Sequence, residues 1–421
     1  MAEGSDVEPV AEFAHRAREW LRGNMSRLVD RDTDARSKAR SDEEELERIA
    51  RCRELQRRLY EGGLAGVCVP RQYGGQGLTS AHQEALNREI IGYDYPAETQ
   101  VPTFTPCLPL ILEFGTEEQK RRHIPPILRG ETFWMQLLSE PQGGSDVAGA
   151  RTTAVADGEE WVLNGSKIWT TGAWWADWGV CLARTDWDAP KHRGLTVFML
   201  PLRQPGIEVH RIEMLNGSRE FCQEYLTDVR VSDSERLAGV GDGWTVGARW
   251  MYHERTTSAG SPYVTRPAGR IRTRYAPPGG ARGLAERSAR AGHLDPGTRQ
   301  ALIGEARSLE LVGSALSGRM ARMIENQEIS DQAAAITRLF AGLANARAIH
   351  IGFELAGSTA VAWTDESSEP PGVAFLMRQA MSIGGGTTEM ARNVISERVL
   401  GMPREAAGDR DVPFRQVSSG T

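Results

Sequence analysis

The chain has 421 residues, a length that suits two or three domain-sized units with enough chain to bury substantial cores. Hydrophobic residues make up 40% and charged residues 25% of the sequence, proportions that are ordinary for a globular protein in water. The net charge of −6 argues against a nucleic-acid-binding protein, which usually carries a basic field.

The N-terminal sequence does not resemble a signal peptide, because residues 1–20 carry acids where a basic and then an apolar stretch would be needed. No stretch reaches the roughly 18 uninterrupted apolar residues of a membrane span. The five cysteines are scattered, odd in number and without a C-x-x-C pair. We therefore expect neither a disulfide scaffold nor a metal site, and we expect a reducing, cytoplasmic location.

Residues 1–131 are predicted to form a helical domain. Apolar residues recur there at three- and four-residue spacing, as in Leu46 and Ile49 or Leu55 and Leu59, which is the period of an amphipathic helix. Thr116 followed by Gln119 three residues later is typical of a capping box, so a helix is expected to begin there.

Residues 132–241 show a period closer to two, which predicts strands. Asp157-Gly158 predicts a hairpin turn, and Asn164-Gly165 predicts a second turn. No long helical pattern separates the predicted strands, so we expect an antiparallel barrel or sandwich. Further strands are expected at 195–200, 206–212 and 224–231.

Helical patterns return in residues 242–404, and the polar segment 405–421 is expected to be a flexible tail. A segment rich in Pro, Gly and Arg at 256–297 predicts a loop over a site or interface. Helices are expected at 244–255, 298–327 and 331–355.

Four segments combine glycine, aromatic or acidic residues in ways that suit a ligand site. Residues 137–149 and 381–405 hold glycine-rich turns that suit a polar ring edge or a phosphate. Residues 164–178 place four tryptophans beside two threonines, which suits a wall against a flat cofactor. Residues 252–260 contain a Glu that would serve as a general base if it faced an apolar pocket. Taken alone, each segment more often has an ordinary role as a loop, core filler, salt-bridged helix face or helix cap.

Taken together, the order and spacing of these segments closely resemble the acyl-CoA dehydrogenase family. SEP-x-GGSD follows a helical region, K-x-W-T-T lies among predicted strands, and GGTTEMARNVISERVLGMPRE lies near the C-terminus. The resemblance spans roughly residues 10–405. It implies a multidomain α+β fold with an N-terminal helical domain, a middle antiparallel β-barrel domain and a C-terminal four-helix bundle. It also implies FAD held between these domains.

The resemblance assigns the flavin ring to a set of residues in the middle domain. Gln136, Leu138 and Ser139 are expected at the pyrimidine edge of the ring, and Trp169 and Thr171 beside it. Thr171 is expected to hydrogen-bond near N5, the flavin atom that receives hydride.

The phosphate groups are assigned to two other loops. Ser145 is expected to face the CoA arm or the phosphates. Thr387 and Glu389 are expected to hold the pyrophosphate or ribose region of FAD, helped by a helix N-terminus.

Dehydrogenation of a thioester needs a base for the α-proton and hydrogen bonds to the carbonyl oxygen. The common family arrangement has a Glu in a Y-E-G-T-like string, but residues 384–387 read G-G-G-T and Gly385 stands at the place of that Glu. In isovaleryl- and long-chain-type members the Glu precedes an Arg on the helix after the β-domain, and here that pair is Glu254-Arg255. The resemblance thus implies that Glu254 is the base and that Gly385 offers its N–H to the thioester oxygen. Arg255 would contact the CoA portion or stabilise the helix.

One feature departs from the family pattern. Many members carry an R-x-x-F-G string that reaches the FAD of a neighbouring subunit, and no such string occurs in 256–300. Arg290 or Arg299 could substitute, and the sequence leaves both open. The family implies an acyl-CoA substrate, an electron-transfer flavoprotein as partner, and a homotetramer, dimer or heteromer.

Two other functions stay open from the sequence. The same fold hosts flavin monooxygenases and nitroalkane-type oxidases, which often lack the base, so Glu254 in register argues against a monooxygenase. The chain could also be an inactive partner subunit of a heteromeric dehydrogenase.

Overall fold

The computed structural model describes residues 7–28, 41–256, 261–265, 280–289, 293–362 and 371–417. In chain order these residues form a helical region, a sheet and a second helical region. Within the described residues, no helix combines the length and apolar character that crossing a bilayer requires.

The N-terminal helices begin where the sequence offers caps and pack through apolar residues at helical spacing. In α1, the buried residues Phe13, Ala17 and Leu21 lie four residues apart and therefore share one face. The predicted capping box is confirmed: the Thr116 hydroxyl accepts from the N–H of Gln119, whose side chain accepts from the Thr116 N–H. The helices are α1 (Val10–Asn24), α2 (Asp42–Glu61), α3 (Ser80–Glu89), α4 (Ala97–Pro102), α5 (Leu108–Phe114) and α6 (Glu117–Leu128).

The middle of the chain forms a sheet with the order β6-β7-β3-β2-β4-β5-β8, and β1 pairs with β4 off this path. The Asp157-Gly158 turn is confirmed, because β2 and β3 pair antiparallel on either side of it. The strands are β1 (Trp134–Leu137), β2 (Thr153–Asp157), β3 (Glu160–Thr171), β4 (Trp178–Arg184), β5 (Leu195–Pro201), β6 (Ile207–Ile212), β7 (Phe221–Ser232) and β8 (Arg236–Leu237).

The expectation of an antiparallel barrel is wrong in two respects. β1 pairs with β4 in parallel, and the strand order ends at β6 and β8, which do not pair with each other, so the described sheet is open. Alternating side chains predict strands but carry no information on strand direction. The chain reverses once at the β2–β3 hairpin and again between β3 and β4, so β1, β2 and β4 run the same way.

The expected turn at Asn164-Gly165 is also wrong, because both residues lie inside β3. The register with β7 shifts between Leu163 and Gly165, so an irregularity replaces the turn. A Cβ atom at Gly165 would lie 2.7 Å from the Cα atom of Thr152. The glycine therefore serves the close approach of two backbone segments.

The C-terminal helices surround α10, which contacts α7, α8, α9 and α13. The N-terminus of α9 is capped by Asp295, whose side chain accepts from the N–H groups of Gly297 and Thr298. The helices are α7 (Gly243–Thr256), α8 (Gly280–Ser288), α9 (Pro296–Glu325), α10 (Ala334–Ala356), α11 (Pro371–Met377), α12 (Ala380–Ile383) and α13 (Thr388–Val394).

One hydrophobic core joins the N-terminal helices, the sheet and α7. It contains Leu110 of α5, Ile127 of α6, Val180 of β4, Val197 of β5 and Trp250 of α7, all fully buried. Because α7 is anchored on the sheet by this core, the residues one helical turn further along are held in a fixed position beside β1.

The tail expected to be flexible from 405 onward is exposed at residues 405–408, but it packs against the middle region at Phe414. The Phe414 side chain is only 3% exposed, and its ring lies 3.5 Å from the guanidinium carbon of the buried Arg184. The N–H of Phe414 donates to the carbonyl of Ala189 at 3.0 Å. The tail is polar in composition, so its one aromatic residue did not stand out in the sequence. Phe414 buries apolar area and makes a cation–π contact with Arg184.

Candidate active site

Glu254 lies near the end of α7 and faces β1. Trp250 and Glu254 are four residues apart, so they share a helix face, and both contact the side chain of Gln136. The Gln136 carbonyl oxygen accepts from the Trp250 indole N–H at 2.6 Å, and the Gln136 amide donates to Oε1 of Glu254 at 3.5 Å. The amide of Gln136 thus contacts α7, and the resemblance assigns the same residue to the pyrimidine edge of the flavin ring.

Gly385 lies directly beside this carboxylate. A Cβ atom built on Gly385 would lie 3.7 Å from Oε1 of Glu254. Gly385 has a φ of +75°, which is a left-handed conformation that glycine adopts without strain. The two positions that the resemblance gives as alternative sources of a carboxylate therefore approach one point in space from different segments of the chain.

Arg338 of α10 completes this group, and the sequence gave no sign of it. Its Nη2 atom donates to the carbonyl of Gly384 at 2.6 Å, and its Nε atom would lie 3.8 Å from a Cβ on Gly385. Burial lowers the pKa of the Arg338 guanidinium, and the negative charge of Glu254 acts against that shift. The Arg338 cation thus lies beside the Glu254 carboxylate. It comes from α10, 46 residues before the Gly384 carbonyl to which it donates.

Residues 139–146, which carry the SEP-x-GGSD motif and are called the SEP loop, follow β1 and are held to β3 by a buried ion pair. The Lys167 ammonium donates to Glu140 at 2.8 Å and to the carbonyl of Leu138 at 3.3 Å. Burial opposes ionisation of Glu140, but the charge and hydrogen bond of Lys167 prevail and lower the pKa of the carboxyl. The N–H of Ile168 also donates to the carbonyl of Ser139 at 2.9 Å. Glu140 lies in the SEP-x-GGSD motif and Lys167 in the K-x-W-T-T motif, but no role was predicted for either residue.

Trp169 is the extra residue of a β-bulge in β3. Ile168 pairs with Gln223 and Thr170 pairs with Cys222, so Trp169 has no partner on β7. Its φ of +66° is unusual for a bulky residue, and bulges often aim a side chain at a site. The indole is 52% exposed. A half-exposed flat ring at this point is a surface on which a planar aromatic group can stack.

The other predicted cofactor residues lie in segments that are far apart in the sequence. Thr171 follows the bulge at the end of β3, and Ser145 is exposed in the SEP loop. Thr387 caps α13, where its hydroxyl accepts from the N–H of Met390 at 3.1 Å. Glu389 is exposed in the first turn of α13, where its own backbone N–H and then the Thr388 hydroxyl lower the pKa of its carboxyl. Both the SEP loop and the α13 N-terminus are thus open to solvent.

The resemblance also named three arginines, and the structure describes the side chain of one of them. The Arg255 side chain and all of Arg290 lie outside the described residues. Arg299 donates to the carbonyl of Ala289 at 3.5 Å, which is a contact within its own helical region. The subunit-bridging role that the sequence left open between Arg290 and Arg299 stays open.

Comparison with known proteins gives the same family over nearly the whole chain. Residues 16–131, 136–229 and 285–400 match the N-terminal, middle and C-terminal domains of acyl-CoA dehydrogenase, respectively. The acyl-CoA dehydrogenase IpdE1 of Mycobacterium tuberculosis is 31% identical over 405 residues, which cover 96% of this chain and 100% of that protein. The human mitochondrial short-chain specific acyl-CoA dehydrogenase is 35% identical over 188 residues, 44% of this chain and 45% of that protein.

Solved structures agree with the sequence matches. The structure of the Tcur3481-Tcur3483 steroid ACAD superposes with a TM-score of 0.71 at 25% identity, covering 94% of this chain and 99% of that chain. The resemblance inferred from the motifs is therefore confirmed, and the chain belongs to the acyl-CoA dehydrogenase family, a family of flavoprotein oxidoreductases.

Proposed function

We propose that this protein dehydrogenates an acyl-CoA thioester between its α- and β-carbons to the trans-2-enoyl-CoA, with Glu254 as the base. The observation that carries the proposal is the 3.7 Å separation between Oε1 of Glu254 and the Cβ position of Gly385. It supports an arrangement in which α7 supplies the carboxylate that the loop before α13 lacks. This would align the chain with isovaleryl- and long-chain-type members of the family.

The residues present fit FAD as the cofactor. The half-exposed indole of Trp169 offers a flat surface for the ring, and the Thr171 hydroxyl stands two residues further along the strand. The exposed SEP loop, with Ser139 and Ser145, suits the pyrimidine edge and the phosphates. The N-terminus of α13, with Thr387 as its cap and Glu389 in its first turn, suits the pyrophosphate or ribose region. When bound there, FAD would supply the acceptor for the hydride from the β-carbon.

The proton chemistry falls to residues of this chain. Glu254 would take the α-proton, and the electron pair of that C–H bond would form the new double bond. At the same time the β-carbon would lose its hydrogen as hydride. The Gly385 N–H would donate to the thioester oxygen, where negative charge develops as the proton leaves. The Gln136 amide would hold the carboxylate in place through its 3.5 Å contact, and Arg338 would hold the Gly384 carbonyl and with it the glycine loop.

We also propose three domains for this chain and an oligomeric assembly. We assign residues 1–131, 132–241 and 242–404 to the three domains, with the last forming a four-helix bundle around α10. We expect an oligomer, homotetrameric or heteromeric, and an electron-transfer flavoprotein as the acceptor of electrons from the reduced cofactor. Arg255 is assigned to the CoA portion of the substrate.

Anaerobic mixing of the FAD-loaded protein with a panel of acyl-CoA thioesters tests the proposal. The panel should include straight, branched and sterol-derived acyl groups, since a steroid ACAD is among the similar solved structures. We expect at least one member to bleach the flavin absorbance and to yield the enoyl-CoA. Failure to take up FAD, or failure of every thioester to bleach the flavin, would overturn the proposal. Peroxide formed at the rate of turnover in air would redirect it to an oxidase.

A further inference from the structure

A buried carboxylate lies directly behind the Trp169 bulge. Glu224 of β7 is 0% exposed, and its Oε2 atom accepts from the Thr170 hydroxyl at 2.8 Å. Its other oxygen, Oε1, is buried and makes no hydrogen bond to any described residue. A buried polar atom without a partner costs free energy, so this arrangement calls for an explanation beyond packing.

The bulge reverses the face on which the following residues of β3 lie. In a regular strand, Lys167, Trp169 and Thr171 would share one face, because side chains alternate with a period of two. Here Lys167 and Thr170 are both buried, although they are three residues apart, and Trp169 is exposed. The extra residue therefore turns Trp169 outward, and Thr170 is the first residue of the reversed phase.

Glu224 accepts the hydrogen bond of Thr170, the first residue after the bulge. We propose that Glu224 is a positioning residue of the cofactor site and holds the β-bulge in place through Thr170. The affinity of the Trp169–Thr171 surface for FAD then depends on whether the Glu224 carboxyl is protonated. This inference rests on the proposed flavin site. It adds a group that is buried behind the cofactor surface, contacts it only through Thr170 among the described residues, and lies outside the motifs.

The charges around Glu224 leave it without a counter-ion of its own. Lys167 faces it across the β3–β7 pair, but the Lys167 ammonium donates to Glu140 and to the Leu138 carbonyl. Two carboxyl groups thus share one ammonium group. Among the described residues, the charge of Glu224 also acts on the thiols of Cys222 on its own strand and Cys181 on β4, and burial raises the pKa of both.

This environment places the titration of Glu224 in the neutral range. Burial raises the pKa of its carboxyl to about 7, against the opposing effects of the Thr170 hydrogen bond, of the Glu224 backbone N–H and of Lys167. As the pH rises through this range, a negative charge appears behind the wall of a site that is to hold an anionic cofactor. We therefore expect FAD to bind more weakly as the pH rises. Its dissociation constant should increase by about tenfold for each unit by which bound FAD raises the pKa of Glu224.

The test is the dissociation constant of FAD from about pH 5.5 to 8.5, a range that spans the titration, for wild type, Glu224→Gln and Glu208→Gln. Glu208 lies on the neighbouring strand β6 with an exposed side chain, so its variant is the matched control. We expect wild type and the control to lose affinity with rising pH and Glu224→Gln to be flat. Parallel curves for all three proteins would overturn the inference. Wild-type protein that binds no FAD would instead overturn the proposed function.

A second pair of variants tests the contact itself. Thr170→Ser keeps the hydroxyl and should keep both the affinity and its pH dependence. Thr170→Val removes the donor, so we expect FAD to bind about tenfold more weakly and the shape of the flavin absorbance bands to change. If Thr170→Val binds FAD with wild-type affinity and spectrum, Glu224 does not act through Thr170. This outcome remains informative even if Glu224→Gln fails to fold.

Discussion

The Nζ atom of Lys167 lies 2.8 Å from Oε1 of Glu140, with both side chains withdrawn from solvent. Glu140 also accepts from the backbone N–H groups of Arg151 and Thr152 at 2.6 and 2.9 Å. One carboxylate thus ties together the start of the SEP loop, its end and the strand that carries Trp169. The loop is exposed, but both of its ends are fixed by charges that no solvent screens.

Lys167→Met should therefore be strongly destabilising, because it leaves the Glu140 charge buried without its ammonium partner. We expect a loss of about 3–5 kcal/mol in the free energy of unfolding, measured by urea denaturation. Lys120→Met is the control, since Lys120 pairs with the largely exposed Glu117 at 3.5 Å and should change stability by no more than about 1 kcal/mol. Equal effects of the two substitutions would contradict the structural role of the buried pair.

Phe414→Ala should release the C-terminal segment while the rest of the protein stays folded. The Phe414 ring packs on Arg184, so its removal takes away the apolar anchor of residues 413–417. We expect limited proteolysis to cut the tail several-fold faster than in wild type, because cleavage follows the population of the undocked state. Leu215→Ala, at a position 80% exposed, should leave the cleavage rate unchanged. An unchanged rate for Phe414→Ala would mean that other contacts hold the tail.

Local sequence signals predicted the elements well and their arrangement less well. The Thr116 capping box, the Asp157-Gly158 hairpin and the strand at 195–200 all depend on neighbours within a few residues, and all are confirmed. The direction of β1 against β4 depends on the path of the whole chain, which local periodicity does not encode. Asn164-Gly165 carries a turn signal, but cross-strand pairing with β7 over the length of β3 outweighed it.

The candidate site shows the same division. Glu254 and Gly385 could be named from motifs, because each motif is a continuous string. Arg338 and Glu224 could not, because each acts on a residue far along the chain: Arg338 on the Gly384 carbonyl and Glu224 on Thr170. Contacts of this kind have no local spacing that would predict them, and only the packed structure reveals them.

The stability of the protein should carry a pH signature from Glu224. The unfolded carboxyl has its ordinary pKa of 4.5, whereas burial raises the folded value to about 7. Below both values the carboxyl is protonated in both states, and no penalty arises. Between them only the unfolded chain loses its proton, so the free energy of unfolding falls as the pH rises, by up to about 3 kcal/mol in total. Above both values the penalty is constant.

Glu224→Gln should remove this slope, since the amide does not titrate. The unfolding free energy of the variant relative to wild type should therefore increase between about pH 4.5 and 7 and then level off. Chemical denaturation at a series of pH values measures the difference directly. A difference that stays constant with pH would show that Glu224 titrates normally in the folded protein.

Arg338→Met should impair flavin reduction without unfolding the protein. Arg338 holds the Gly384 carbonyl at 2.6 Å and stands beside Glu254, so its loss frees the glycine loop and removes the cation near the base. We expect the rate of flavin reduction to fall by about 10²-fold, as a misplacement of about 1 Å at a reacting centre can do. Arg338→Lys keeps the charge but loses the fork of donors, and should fall between wild type and Arg338→Met. Wild-type rates for Arg338→Met would exclude a positioning role.

Glu254→Gln provides the decisive test of the base. The amide nearly matches the carboxylate in shape, so FAD and substrate should still bind, but it cannot accept the α-proton. We expect flavin reduction by an established thioester substrate to slow by about 10²–10⁴-fold, the usual contribution of a positioned general base. Stopped-flow absorbance under anaerobic conditions measures this rate separately from product release. Reduction at the wild-type rate would show that the base lies elsewhere or that the reaction is not dehydrogenation.

The relation between Glu254 and Gly385 also predicts a partial rescue. In Glu254→Gly the carboxylate is lost and the space beside the Cβ position of Gly385 opens, so Gly385→Glu in that background can direct a carboxylate to the same point. The φ of +75° at Gly385 strains any other residue, so recovery should be incomplete. We expect the double variant to reduce flavin faster than Glu254→Gly alone and more slowly than wild type. Gly385→Gln in the same background is the matched control, because it imposes the same strain without a base and should give no recovery. Equal rates for the Glu and Gln double variants would mean that a carboxylate at position 385 does not reach the substrate.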